Sequence, residues 1–311
     1  MTLPRQRPRH SDEDGAPGLP GPGATVDVPA VESLPLLLQR LAGPDDHARE
    51  AALRELVALA DAHPVARAEA IAAVCAYLRS PWTAERPGGR VPAGEPELRR
   101  VGLGLLAERL HDPDAPTSWC GHDLDLAGAV LAGADLSGCW FTGGRVRLEG
   151  VWAIEGRLSF DGARFDGARV SLRHWQSGQG ELSFRGARFS AGVVSLAGAV
   201  VHTGALFAAG AVVDGGTFAL TELRLDGGTL DLSRITVSAG LLTLSDARLN
   251  AGRVLLTEAR MTGGRTVLRD VRSAPGVLVT DGALVRPGTV DVSGSFETGL
   301  DVPSAEAAAL R

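Results

Sequence analysis

The sequence predicts a mainly β solenoid preceded by a small α-helical region, and three observations carry that prediction. From Gly144 to Gly288 every twelfth residue is glycine, with Ala168 filling the one gap. Between the glycines one order of apolar and small residues returns, as in Leu241-Leu242-Thr243-Leu244-Ser245-Asp246-Ala247-Arg248-Leu249-Asn250-Ala251-Gly252. Over residues 31–111 the apolar residues recur instead at helical spacing. A unit of this length buries almost nothing alone, so only stacked copies can build a continuous core.

The elements follow in chain order. Residues 1–30 alternate Pro, Gly and charge without apolar periodicity, which predicts a disordered tail. The helical region is expected over 31–120. Pro44-Asp45-Asp46 opens a helix with acids in its first turn, and Leu53, Leu56, Val57 and Ala60 share one face. Pro64 starts a second helix carrying Ile71, Val74, Cys75 and Leu78. After a loop rich in Pro and Gly at 81–96, Leu98, Val101, Leu105 and Leu106 line a third. The solenoid is expected over 121–303, with its first coil covered by the Leu98/Val101/Leu105 face, and residues 304–311 form a terminal tail.

At Leu124 the period becomes five. The chain reads Leu124-Asp125-Leu126-Ala127-Gly128, Ala129-Val130-Leu131-Ala132-Gly133, Ala134-Asp135-Leu136-Ser137-Gly138, Cys139-Trp140-Phe141-Thr142-Gly143. This resembles the pentapeptide-repeat family, in which four pentapeptides make one square coil. The resemblance implies a right-handed, four-sided parallel β-helix with an N-terminal α-helical cap. The segment Val74-Cys75-Ala76-Tyr77-Leu78-Arg79 is similar to one found before the β-helix in family members from high-GC bacteria, and Ala48 to Leu56 resembles a HEAT-repeat helix. The twelve-residue unit then decomposes into two pentapeptides and two corner residues, so two units make a 24-residue coil. Seven coils at about 4.8 Å give a rod on the order of 34 Å long. The family's common property is binding, so the resemblance implies an interaction protein.

Side chains alternate along extended chain, which puts the first and third residues of each pentapeptide inside. The third slot holds Leu148, Phe160, Leu172, Phe184, Leu196, Leu220, Leu232, Leu244, Leu256 and Leu268, weakening at Ala208 and Thr280. Its partner slot is mostly alanine. Outside, one column reads Trp152, Gln176, Val200, Arg224, Arg248, Arg272, Phe296, and the opposite one Trp140, Arg164, Arg188, Val212, Thr236, Arg260, Leu284. Each of Arg224, Arg248 and Arg272 follows an acid by two residues (Glu222, Asp246, Asp270), which is expected to neutralise the row. The candidate partner-binding surface is therefore Trp152, Trp175, Gln176, Arg224, Arg248 and Arg272. Trp175 falls in a slot that usually holds alanine, so it either overfills the core or swings outward.

Composition narrows the function classes. Forty glycines and a single tyrosine in 311 residues suit many sharp corners better than a sugar-binding platform. The net charge of −6 is too mild to declare a nucleic-acid or membrane partner. Residues 121–303 carry 19 acids and 17 arginines, too balanced for mimicry of duplex DNA, the binding mode of some pentapeptide proteins that engage topoisomerases. Cys120, His122, Cys139 and His111 lack closed zinc spacing, and Cys139 already fills an inward slot. Gly102-Leu103-Gly104 lies in a helical pattern and not after a strand, against dinucleotide binding. No serine sits in a nucleophile-elbow sequence and the seven histidines are scattered. No enzyme activity, cofactor or metal is expected. Three cysteines, an odd number without framework spacing, point to the cytoplasm. No apolar signal core is seen, and residues 36–41 are too few to span a bilayer. The leading expectation is a scaffold for a protein partner. DNA mimicry, or self-assembly with a homodimer through a coil end, is the alternative.

Overall fold

A computed structural model describes residues 28–81, 94–131, 134–153, 156–177, 180–275 and 277–291. Residues 1–27 of the tail expected at 1–30, the tail expected at 304–311, and Phe296 lie outside the described residues. The chain is mainly β, with helices α1 (Val28–Leu41), α2 (Asp46–Ala62), α3 (Arg67–Arg79) and α4 (Glu95–Glu108) ahead of a parallel β-solenoid of about seven turns. Among the described residues no helix is long and apolar enough to cross a membrane.

The helices form for local reasons. Asp45 caps α2 by accepting the His47 N–H at 3.1 Å, and Glu95 and Glu97 place charge at the positive end of α4. The predicted faces of α2 and α3 are buried, including Leu53, Leu56, Ile71, Val74 and Leu78. Helix α1 corrects the tail boundary, because it begins at Val28, inside the segment read as tail, and runs through Pro35. Leu37 and Leu41, one turn apart, are buried against the helical core. Their packing offsets a local sequence that reads poorly as helix.

The face that α4 turns to the solenoid also differs from expectation. Gly102 lies against Leu53 of α2 and Leu78 of α3, so its side of α4 faces the helical bundle. The opposite contacts are made by Arg99, whose Nη1 donates to Val130 O at 3.2 Å, and by Ala107, whose carbonyl accepts Cys139 Sγ–H at 3.7 Å. Arg99, Leu103 and Ala107 share one face at four-residue spacing. The sequence pattern misses it because its first member is charged. Arg99 is fully buried and held by Glu95 at 2.8 Å, by the Leu78 carbonyl and by both oxygens of Ser80. The junction is further joined by Trp140 N–H to Leu110 O at 2.6 Å and by an Arg79–Asp125 ion pair at 2.7 Å. Helices and coils thus share one continuous core.

In the solenoid, Leu182 pairs in parallel with Leu158 on one side and Leu206 on the other, so one coil is 24 residues. The first step is shorter. Leu124 pairs with Val146 and Val130 with Trp152, each 22 residues on, because only one two-residue corner has been added to the run of pentapeptides. Each coil turns four times, by two alternating devices. The first is a tight turn closed by a hydrogen bond such as Ala187 N–H to Phe184 O, at 3.0 Å. The second is a glycine corner where the register shifts, as at Ala191. Gly192 has φ +75°, and a Cβ there would strike the carbonyl of Ala168 in the coil below. Gly204 has no positive φ and is small because the Gly180 carbonyl lies against it. Close stacking, as well as turning, thus fixes the twelve-residue glycine period.

The interior follows the predicted slots. Leu148, Phe160, Leu172, Phe184, Leu196, Leu220 and Leu232 are fully buried, as are the partner alanines Ala163, Ala187, Ala199, Ala211, Ala247 and Ala259. Leu220 and Leu244 stack one coil apart, the Leu220 N–H bonding to Thr243 O at 2.7 Å. Phe141, Phe165 and Phe189 form a ladder with ring centroids 5.1 and 5.0 Å apart, parallel to Phe160 and Phe184 at 5.1 Å. Near the last described strands burial weakens, with Leu268, Leu278, Ala283 and Val290 only partly covered.

Candidate interaction surface

Parallel pairing places Gln176, Val200, Arg224, Arg248 and Arg272 in one ladder, one residue per coil. The opposite column is likewise continuous from Trp140 to Leu284. In it the Arg164 guanidinium lies 4.3 Å from the Trp140 ring centre and Arg188 pairs with Asp214. Trp152 is 57% exposed, on a short strand that pairs with Val130 in a separate sheet.

Trp175 leaves the candidate surface. It is 4% exposed and lies inside the core, immediately after a tight corner at His174 with φ 57°. The strand alternation that buries alanine at this slot buries the indole as well.

The pairing expected for the arginines is also corrected. Arg224 Nε donates to Asp226 at 2.7 Å, and Asn250 Nδ2 of the next coil donates to the other oxygen of Asp226 at 2.9 Å. His202 Nδ1 of the preceding coil lies 3.5 Å from the same carboxylate. The hydrogen bond from Arg224, then that from Asn250, holds the Asp226 carboxyl below its usual range. Asp226 therefore ties three coils together, and the partner of Arg224 follows it by two residues instead of preceding it. The sequence signal was present, since Arg224 and Asp226 are alternate residues on one outward strand face.

The preceding acids occupy a different place. Glu222, Asp246 and Asp270 stand on the solenoid corner with φ 56°, 59° and 53°. They form an exposed row alongside the arginine row, one inward residue (Leu223, Ala247 or Val271) separating each acid from its arginine. Two shallow hollows lie between the rows, one lined by Glu222, Arg224, Asp246 and Arg248, the next by Asp246, Arg248, Asp270 and Arg272. Among the described residues, Glu222, Asp246, Arg248 and Arg272 make no side-chain hydrogen bond or ion pair within the chain.

The residues weighed as a partial zinc site are engaged otherwise. His111 reaches Ala107 O at 2.7 Å and Ser137 O at 3.1 Å through its two ring nitrogens, and Cys120 Sγ donates to Leu110 O at 3.5 Å. Burial pushes the Cys139 thiol up to about 12 and lowers the pKa of His122. Gly102 and Gly104 lie inside α4.

Comparison with protein-family models, with curated proteins and with solved structures finds no match to this chain.

Proposed function

We propose that this chain is a non-enzymatic, cytoplasmic interaction scaffold of the pentapeptide-repeat type, whose rigid solenoid presents one charged edge to a protein partner. The observation that carries this reading is the arginine ladder. Backbone register fixes Arg224, Arg248 and Arg272 one coil apart, and the guanidinium groups of Arg248 and Arg272 are exposed without partners among the described residues. Exposed arginine beside a packed scaffold is the composition of an interface anchor. Trp152 adds an exposed aromatic at the other end of the solenoid. Three free cysteines support the cytoplasmic assignment. The same arginines weigh against a surface that imitates the phosphates of DNA.

The test compares proteins retained by the immobilised chain with those retained by the double variant Arg248→Glu/Arg272→Glu. The scaffold reading expects a specific partner retained by the first and lost from the second. Identical sets of retained proteins would refute the arginine edge as the binding surface.

A further inference from the structure

The acid row and the arginine row together describe a partner more closely than either does alone. An acidic peptide laid on Arg224, Arg248 and Arg272 would meet Glu222, Asp246 and Asp270 one corner residue away, and a basic peptide would meet the converse repulsion. The surface that fits must carry its own acid row beside its own arginine row, in the opposite lateral order and at the same coil spacing. A second copy of this chain has that surface.

We propose that two copies pair side by side along this edge, related by a two-fold axis parallel to the solenoid axis. This rests on reading the edge as an interaction surface and names the partner. A two-fold axis in that direction reverses lateral order and preserves height, so the arginine row of one copy faces the acid row of the other. Arg248 of one copy stands opposite Asp246 of its mate, and Arg272 opposite Asp270. An axis across the rows would set arginine against arginine, so the charges select the parallel arrangement. The unpartnered state of Glu222, Asp246, Arg248 and Arg272 within the chain leaves them available for this. The rows lie in coils remote in sequence from the helices; the acids stand on a corner and the arginines open the strands that follow it, all of them exposed. Three coils at about 4.8 Å span only roughly 10 Å, too short a strip to cover the ~800 Å² per partner of a standard interface, so a weak, salt-sensitive dimer is expected.

The test is sedimentation equilibrium of the full chain and two charge variants. Arg248→Glu/Arg272→Glu leaves Arg224, held by Asp226, and makes the edge largely acidic. Asp246→Arg/Asp270→Arg makes it largely basic, and Arg234 shows that arginine is accommodated at such a corner, with φ 55°. The unmodified chain should dimerise at ~0.02 M salt and weaken at least about tenfold at ~0.5 M, as the screening length falls from roughly 20 Å to about 4 Å. Each variant alone should be monomeric, and an equimolar mixture should restore a dimer of one of each. Arg248→Gln/Arg272→Gln, which adds no repulsion, should weaken dimerisation without abolishing folding, read by circular dichroism. A monomeric unmodified chain at low salt, or a dimer that both charge variants leave intact, would overturn the proposal. Because dimerisation is read as mass, such a failure leaves the capture of a different protein by the arginine edge as a separate question.

Discussion

The two halves of the solenoid solve the same corner problem with different residues. In the coils nearest the helices the tight corners are mostly glycine, at Gly128, Gly138, Gly150, Gly162 and Gly186, with His174 the exception, all with positive φ. In the later coils the equivalent corners are Glu222, Arg234, Asp246, Glu258 and Asp270, also with positive φ, before glycine returns at Gly282. A side chain in that conformation costs about 1–2 kcal/mol relative to right-handed backbone, a penalty glycine escapes. The cores differ in parallel. Stacked phenylalanines fill the early and middle coils from Phe141 to Phe218, whereas aliphatic side chains of decreasing burial fill the end. One half is built for stability, and the other spends some of it on display of charge.

The largest effect that would sharpen this contrast comes from removing the helices. Without residues 1–111 the first coil loses Arg99 and Leu110 as partners of Val130 and Trp140, and the covered strand edge is bare. The fragment 112–311 should aggregate, read by light scattering. A soluble, monodisperse fragment would mean that the helices are a docking module and not a cap.

Core substitutions should grade along the rod. Phe165→Ala removes a fully buried ring stacked on both sides and should cost about 3–5 kcal/mol. Leu278→Ala, at a partly buried site, should cost less than about 2 kcal/mol by the same reasoning. Urea midpoints measure both, and equal losses would break the comparison.

Corner substitutions should have opposite signs in the two halves. Gly186→Ala, at an early tight corner of the same kind as Asp246, adds a Cβ where φ is +63° and should cost about 1–2 kcal/mol. Asp246→Gly relieves a positive φ at an exposed site and should stabilise by about 0.5–1 kcal/mol. Destabilisation by Asp246→Gly would show that the aspartate is there for folding and not for display.

Much of this was legible in the residues. The glycine period marked the coils, and the five-plus-five-plus-two pattern gave the 24-residue step and the inward slots. Where reading failed, long-range packing had overridden local pattern. Leu37 and Leu41 bury a helix that Pro35 disguises, and the charged Arg99 lies on the face that α4 turns to the coils. At the edge, the arginine ladder was readable from spacing, but its electrostatics were not. Nearness in sequence suggested Glu222 for Arg224, while the corner between them turns the acid away and strand alternation delivers Asp226. Trp175 shows the converse, where slot position outweighed side-chain size.

Amide hydrogen exchange along the full chain tests the central contrast most directly, because stability in a solenoid is a sum of local and neighbouring terms. Exchange should be slowest in the phenylalanine-stacked strands around Arg164–Ser171 and Arg188–Ser195, with protection falling steadily to the strand Val290–Asp291. Uniform protection, or slower exchange in the charged coils than in the glycine-cornered ones, would contradict it.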